Sequence, residues 1–177
     1  MTPGITGPAP QLDLDRPARL PSREGATRLR VRYAECDPMR VAHHSSYAVW
    51  MEEARTHLLR ASGVSYADLE EQGVFLVITK LELKYRRPVR YDDVLEVRVR
   101  HVPAGKIKIR HEYEVALVER MGGEPDPADP ATPRDGVCAV GMTELACVGR
   151  DGRPRQLPGW LVAEPADHPA GQPAELG

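Results

Sequence analysis

The spacing of apolar residues near the start of the chain is that of a β-strand. In TRLRVRY (27–33), Leu29, Val31 and Tyr33 alternate with three arginines. A period of two places apolar side chains on one face of a strand and charged side chains on the other. The sequence therefore predicts a half-buried strand over 27–33.

The period then changes to that of a helix. From Ser46 to Ala61 the apolar residues recur at steps of three and four, and Gly63 follows as a stop signal. A hydroxyl just before such a segment can accept hydrogen bonds from the first unpaired amides, so Ser45 or Ser46 is the predicted N-cap. We expect a helix of about four turns.

After a short predicted helix, YADLEEQG (66–73), every segment has the pattern of a strand. One helix followed by successive strands is typical of an antiparallel sheet with the helix on one face. The sequence predicts an α+β fold, a five-stranded antiparallel sheet wrapped on one long central helix, which is the hotdog arrangement. The later strands are VFLVITKLELKY (74–85), VLEVRVRHV (94–102), KIKIRHEYEVALV (106–118) and GVCAVGMTELACVG (136–149).

Proline and glycine mark the boundaries of the folded unit. They are concentrated in 1–25, in 121–136 and from Pro165 onward. Such segments bury too little apolar surface to offset the entropy lost on ordering. With 177 residues, the chain is long enough for one domain with a substantial core. We predict a disordered leader over 1–25, one domain over 26–160 with a long loop at 121–136, and a flexible tail over 161–177.

The composition argues against several classes of protein. Apolar residues make up 41% of the chain and the net charge is -2, so neither a disordered chain nor a nucleic-acid partner is indicated. No apolar run approaches the roughly 18 residues of a membrane span, and the N-terminus lacks the apolar core of a secretory signal. The three cysteines have no C-x-x-C spacing, so we predict free thiols and a cytoplasmic location.

Polar residues gather in YAECDPMRVAHHSSY (33–47), between the first strand and the helix. A helix N-terminus carries a partial positive charge and unpaired amides, so a carbonyl oxygen placed there is polarised. Asp37 precedes His44 in this loop and can attack such a carbonyl or deprotonate a water that does. An ordinary Asp-Pro turn at Asp37-Pro38 is the alternative.

The pattern Tyr33-x-x-x-Asp37-x-x-x-Val41-x-x-His44-x-x-Tyr47 precedes MEEART at 51–56. It resembles the 4-hydroxybenzoyl-CoA thioesterase family of hotdog acyl-CoA thioesterases, in particular the bacterial branch encoded beside the Tol-Pal system. KYRRPVRYDDVLEV (84–97) resembles the second signature of that family. The resemblance covers roughly residues 27–160.

The resemblance implies an enzyme that hydrolyses an acyl-CoA thioester to a free acid and coenzyme A without a metal or other cofactor. It implies that Asp37 is the catalytic carboxylate, that Tyr33 and His44 lie beside it, and that the His44 backbone amide polarises the carbonyl. Two positions depart from the family pattern, since Arg40 replaces a glycine and Ser46 replaces an asparagine. We also predict a set of substrate-binding residues, with core packing as the alternative role for the last two: Val41, Tyr47, Trp50 and Met51.

Two other functions stay open. A hotdog dehydratase or hydratase acting on acyl-CoA or acyl carrier protein would use His43 or His44 with a carboxylate across the subunit boundary. A non-catalytic acyl-CoA-binding scaffold would need no carboxylate. A metal site at the adjacent histidines is disfavoured because their side chains point apart and no further ligand lies at helical spacing. For Cys36, packing as a small buried residue is favoured over a nucleophilic role.

Basic residues alternate outward along the predicted strands. A surface for the phosphates of coenzyme A is one interpretation, but a solvated sheet face balanced by glutamates, or a subunit interface, is favoured. One helix cannot close the edge of the sheet, so we predict a homodimer or homotetramer joined edge to edge, with the active site at the interface. The basic residues are Arg28, Arg30, Arg32, Arg98, Arg100, Lys106, Lys108 and Arg110.

Overall fold

A computed structural model describes residues 22–162. The strands are Glu24–Arg30 (β1), Phe75–Tyr85 (β2), Val94–Pro103 (β3), Lys108–Glu119 (β4) and Val137–Val148 (β5). The helices are Ser46–Arg60 (α1), Tyr66–Glu71 (α2) and Gly159–Val162 (α3), and a single 3-10 turn spans Tyr33–Glu35.

The five strands form one antiparallel sheet in the order β1-β3-β4-β5-β2. Helix α1 crosses one face of this sheet and lies against β1 and β3. The predicted α+β hotdog fold, with five antiparallel strands around one long helix, is confirmed. Among residues 22–162, β2 pairs only with β5, so it forms an edge of the described sheet.

The main core lies between α1 and the inner face of the sheet. Trp50 and Met51 of the helix are 1% and 0% exposed and share a cluster with Leu95 of β3. Gly141 of β5 permits this close packing, since a Cβ there would lie 2.9 Å from Leu83 Cδ2 and 3.1 Å from Met51 Cε. Each large apolar side chain buried in this layer stabilises the fold by about 2 kcal/mol.

A second cluster joins α2 and α3 to the far end of the sheet. Leu69 of α2 and Trp160 of α3 are buried in it. Helix α2 begins with a capping box, in which Ser65 Oγ accepts from the Asp68 amide at 3.2 Å and the Ser65 amide donates to Asp68 Oδ2 at 2.7 Å. These local bonds fix a helix that is too short to be stable alone.

The first strand begins earlier than the sequence predicted. Glu24 and Gly25, assigned to the leader, pair with Arg100 and Val99 of β3 and therefore belong to the domain. Most of the predicted leader, residues 1–21, lies outside the described residues, as does the tail from residue 163.

The first strand also ends earlier, which corrects the predicted environment of Tyr33. Alternation placed Tyr33 on the buried face, but it lies in the 3-10 turn and is 81% exposed. The ladder stops at Arg30 opposite Val94. Beyond that pair Asp92 has a φ of 69°, which turns the neighbouring chain away from a strand path.

The predicted loop at 121–136 connects β4 with β5 and is tied to the body of the domain by ion pairs. At its start the buried Arg120 donates from Nε to Asp93 Oδ1 at 3.0 Å. Arg120 and Arg90 both reach Asp129 within the loop, at 3.3 and 3.2 Å. A buried charge needs such partners, because its desolvation is otherwise costly.

No helix within residues 22–162 is long and apolar enough to cross a membrane.

Candidate active site

The polar loop that the sequence singled out folds back on itself before α1. Cys36 and Ala42 form an antiparallel bridge, and the Asp37 amide donates to the Val41 carbonyl at 3.0 Å. The Ala42 amide donates to the Val89 carbonyl at 2.7 Å, which fixes the returning segment against the chain that precedes β3. The loop therefore delivers Asp37 close to the segment that starts α1.

Glu35 is the anchor of this loop, and the sequence analysis did not single it out. Its carboxylate accepts hydrogen bonds from the Arg32 backbone amide at 2.7 Å, from the Arg32 guanidinium at 2.7 Å and from Trp50 Nε1 at 3.0 Å. Its carbonyl accepts from the His43 amide at 2.7 Å. Partial burial disfavours the charged form, but the bonds from Arg32 and Trp50 outweigh it and lower the pKa of Glu35. Its position three residues after Arg32 was the available signal.

Ser45 is the N-cap residue of α1, as predicted, but its side chain makes no capping hydrogen bond to the helix. Ser45 has helical backbone angles and its hydroxyl bonds to His43 Nδ1 at 2.7 Å, while Ser46 Oγ donates to the Glu35 carbonyl at 3.1 Å. Both hydroxyls thus find partners in the loop, which sequence spacing could not reveal. Within residues 22–162, the backbone amide of His44 donates a hydrogen bond to no group.

A free amide at this position has chemical consequences. Helix α1 is 15 residues long, and the aligned peptide dipoles give its N-terminus a partial positive charge. An oxygen that becomes negative there is stabilised by the field and by any amide that points at it. The His44 carbonyl is held by the Tyr85 hydroxyl, which donates to it at 3.1 Å. This bond fixes the peptide that precedes the helix.

Asp37 is half-buried and adopts a turn. Its Oδ1 accepts from the Met39 amide at 2.8 Å, and its carbonyl accepts from the Arg40 amide at 2.9 Å. The turn that we gave as the alternative role is therefore present. Within residues 22–162 no hydrogen bond reaches the other carboxylate oxygen, so the turn leaves that oxygen available for chemistry.

Arg40 stands where the resemblance leads one to expect a glycine, and its backbone has a conformation that glycine adopts easily. Its φ is 64°, in the left-handed region that a side chain with a Cβ rarely adopts. The loop holds this conformation with an arginine, at a cost of roughly 1–2 kcal/mol in local strain.

The aromatic residues of the motif separate into two groups. Tyr47 packs edge-on against Tyr85, with ring centroids 5.0 Å apart, close to the start of α1. Tyr33 instead packs edge-on against Tyr91 at 5.6 Å, and both rings are largely exposed. No hydrogen bond joins Tyr33 to Asp37 or His44 in the part of the chain that the structure describes. A catalytic role for Tyr33 stays a prediction.

The predicted substrate-binding residues lie mainly in the interior. Tyr47, Trp50 and Met51 are between 0% and 3% exposed and belong to the main core, whereas Val41 is half-buried in the loop. Contact of these side chains with a substrate stays a prediction. Cys36 is half-buried, and loss of hydration followed by the nearby charges of Glu35 and Asp37 raises its thiol pKa, which disfavours a thiolate nucleophile.

The outward arginines and lysines of the sheet are largely neutralised. Arg100 pairs with Glu112, Arg98 donates from Nε to Glu96 at 2.9 Å, and Lys108 reaches Glu144 at 2.7 Å. These contacts favour the interpretation of a solvated, charge-balanced face over a surface for phosphates. Histidines and carboxylates do not converge on a metal-binding arrangement anywhere between residues 22 and 162.

Comparison with known families bears on this geometry. A family model described as the thioesterase-like superfamily matches residues 31–173, which is most of the chain. The chain belongs to the thioesterase-like superfamily. The matched segment includes the Asp37 loop, α1 and all of the sheet except β1.

Individual known proteins resemble the chain in sequence or in structure. The acyl-CoA thioester hydrolase YbgC of Escherichia coli O157:H7 is 37% identical over 70 residues, which is 40% of this chain and 52% of that protein. The crystal structure of TT1821 from Thermus thermophilus has 34% identity and a TM-score of 0.63, covering 78% of this chain and 92% of that one. The DHNA-CoA thioesterase of Staphylococcus aureus has 28% identity and a TM-score of 0.63, covering 75% of this chain and 80% of that one.

The sequence matches are partial. The chain spans about half the length of the curated relatives it matches, 50% in one case and 52% in another. The structural matches extend further and cover about three quarters of this chain. Membership of the superfamily and the fold therefore rest on the family model and the structures.

Proposed function

We propose that this protein hydrolyses acyl-CoA thioesters to a free acid and coenzyme A, without a metal or redox cofactor. The observation that carries the proposal is the free His44 amide at the start of α1, beside a loop that folds back to present Asp37. The name of the E. coli relative, an acyl-CoA thioester hydrolase, agrees with this chemistry.

In the proposed reaction the thioester carbonyl oxygen binds at the N-terminus of α1. The His44 amide and the helix dipole stabilise the negative charge that grows on that oxygen. Asp37 either attacks the carbonyl carbon, forming an anhydride that water then cleaves, or takes a proton from the water that attacks. In both routes the carbon–sulfur bond breaks and the coenzyme A sulfur leaves with the bonding electrons and is then protonated.

The site is proposed to be completed by a second copy of the chain. Val41 and Tyr47 lie near the start of α1, and Trp50 and Met51 follow within that helix. We assign all four side chains to the wall of the acyl pocket.

The three cysteines form no disulfide, which suits a reducing compartment, and we propose the cytoplasm.

A substrate panel tests the proposed activity. Purified protein is mixed with short, medium and aromatic acyl-CoAs and a dye that traps free thiols. We expect thiol release with at least one of them at a rate proportional to enzyme. If none releases thiol above background, the protein is not an acyl-CoA thioesterase.

Two substitutions test the assigned roles. Asp37→Asn keeps the size of the side chain and the turn acceptor Oδ1 but removes the charge, so turnover should fall at least about a hundredfold. His44→Ala keeps the backbone amide and should cost much less. The opposite ranking, with Asp37→Asn near normal and His44→Ala inactive, would show that the histidine side chain is the catalyst.

A further inference from the structure

A cavity of about 270 Å³ lies where the end of β2, the loop 121–136 and the start of β5 meet. Three of its six lining residues are arginines. The lining consists of Arg86, Arg87, Pro133, Arg134, Asp135 and Val137. Three guanidinium groups against one carboxylate give the cavity a net positive charge, unlike the neutralised outer face of the sheet.

The arginines of this cavity differ in their partners. Arg86 donates to Asp135 Oδ2 at 2.7 Å. Arg87 donates from one guanidinium nitrogen to the Arg86 carbonyl at 2.9 Å, and no carboxylate of residues 22–162 pairs with Arg87 or Arg134. Two guanidinium groups therefore keep donors for an anion. Their planar forks suit phosphate oxygens, which accept two parallel hydrogen bonds.

Backbone contacts position these side chains. The amides of Arg86 and Arg87 both donate to the Cys138 carbonyl, at 2.8 and 3.0 Å. A turn holds Arg134, because the Gly136 amide donates to the Pro133 carbonyl at 3.0 Å. The loop that carries Arg134 is itself tied to the body of the domain by the ion pairs of Asp129. The cavity is therefore built on fixed backbone.

The cavity is close in the chain to the candidate active site. The Tyr85 hydroxyl bonds to the His44 carbonyl, and Arg86 and Arg87 follow Tyr85 directly. Two residues of extended chain span about 7 Å. Coenzyme A places its pyrophosphate and 3′-phosphate at the far end of a long pantetheine arm, so a thioester at the helix N-terminus can reach such a cavity with its nucleotide half.

We propose that the cavity at Arg86, Arg87 and Arg134 binds phosphate groups of the nucleotide half of coenzyme A. The inference rests on the proposed thioesterase function and extends it. It gives the loop 121–136 a role, since that loop supplies Arg134. Arg87 and Arg134 are the phosphate-binding residues, whereas the Arg86 guanidinium already forms an ion pair with Asp135.

The test compares two substrates that carry the same acyl group. One is the acyl-CoA, and the other is the acyl thioester of N-acetylcysteamine, which has no nucleotide and no phosphate. The double variant Arg87→Ala with Arg134→Ala should lower kcat/KM for the acyl-CoA at least tenfold more than for the truncated ester, mainly through KM. Equal losses on both substrates, or no loss on the acyl-CoA, would overturn the proposal.

A matched control removes an arginine elsewhere. Arg153 is exposed, lies in the turn after β5 and pairs only loosely with Asp151, at 3.7 Å. Arg153→Ala should leave the ratio of the two kcat/KM values unchanged. Circular dichroism of each variant checks that the fold is retained. A change of the ratio in Arg153→Ala similar to that in the double variant would show that total charge, and not this cavity, decides it.

A binding measurement separates failure of this inference from failure of the proposed function. Calorimetry with free coenzyme A, 3′-dephospho-coenzyme A and inorganic pyrophosphate needs no turnover. We expect the double variant to bind coenzyme A at least tenfold more weakly than the unmodified protein, whether or not any thioester is cleaved. Unchanged affinity would refute the phosphate site even if the protein proves to be a thioesterase. If the protein binds pyrophosphate but does not bind coenzyme A, the assignment of the cavity to coenzyme A is also refuted.

Discussion

At the scale of single residues, the candidate site depends on groups that hold the loop as much as on those assigned to chemistry. Glu35 joins the backbone of Arg32 and His43 to the indole of Trp50, and so links the loop to the core of α1. Its carboxylate has three hydrogen bonds, which leaves little capacity for catalysis. Asp37, with one carboxylate oxygen in a turn and the other without a bond from the described residues, is the better candidate.

Arg40→Gly should stabilise the protein. Glycine adopts a φ of 64° without strain, so the substitution removes roughly 1–2 kcal/mol of local cost, and part of this gain is offset because glycine makes the unfolded chain more flexible. We expect a net increase of up to about 1 kcal/mol in the free energy of unfolding, measured by urea denaturation.

The control for this prediction is Arg40→Ala, which removes the same charge but keeps a Cβ. It should not share the gain. If Arg40→Gly is no more stable than Arg40→Ala, the left-handed conformation carries no strain in this loop.

At the scale of elements, β3 and β4 place the half-buried His101 opposite the buried His111. His101 pairs with His111 across the strands, with ring centroids 5.3 Å apart, and His111 is 6% exposed. Burial, with repulsion from His101 and then from Arg55 of α1, lowers the pKa of His111 to about 3. Burial and the charge of Arg23 lower the pKa of His101 to about 4. Both rings are therefore neutral in the folded protein over most of the pH range in which it would be handled.

The pH dependence follows from these lowered pKa values. Below the ordinary histidine pKa of 6.5, the unfolded chain takes up protons that the folded chain refuses, so stability is full above that pH and falls as the pH drops toward 4. For each histidine, the free energy of unfolding should fall by up to about 1.4 kcal/mol per pH unit. Urea denaturation between pH 7 and pH 5 measures this slope, in a range above the titration of most carboxylates.

His111→Leu tests whether the two histidines cause this loss of stability in acid. It removes one of the two side chains that bind a proton in the unfolded chain but not in the folded one. The slope of the free energy of unfolding between pH 7 and pH 5 should fall to about half that of the unmodified protein. The absolute stability at pH 7 is not the readout, because the substitution also changes packing. A slope that does not change would mean that other groups control acid stability.

At the scale of the whole molecule, β2 is an edge strand of the described sheet, and four of its apolar residues are largely exposed. Val77, Ile78, Leu81 and Tyr85 are each between 42% and 48% exposed. An exposed apolar edge with unpaired backbone groups is a template for pairing with another copy. We therefore predict a homodimer joined along β2, which would bring two copies of Tyr85 and of the neighbouring α1 N-terminus close to the interface.

Light scattering checks the dimer. The mass should be about twice the 19.6 kDa of one chain at micromolar concentration. Ile78→Lys with Leu81→Lys places charges on the edge and should shift the mass toward one chain. Glu82→Lys adds charge to the same strand on its polar face and serves as the control. A monomer that retains full thioesterase activity would contradict both the dimer and a site shared between subunits.

The sequence by itself determined the elements and their order. Periods of two and of about 3.6 residues are local properties, so the β2, β3, β4 and β5 strands and helix α1 lie close to where their patterns placed them. The motif also located the Asp37 loop at the start of α1, because loop and helix are adjacent in the chain. The expected place of Tyr33 on the buried face was wrong for a related reason, because the alternation continues past Arg30 while the neighbouring chain turns away at Asp92.

Only the tertiary structure decided which polar groups meet. The serine hydroxyls expected to cap α1 bond instead to His43 and to the Glu35 carbonyl, which come together when the loop folds back. The basic residues of the sheet could not be distinguished in sequence, yet most face glutamates, whereas Arg87 and Arg134, 47 positions apart, line one cavity. Hydrogen bonds and ion pairs are made between side chains that are distant in the chain, so their partners depend on packing and not on local spacing.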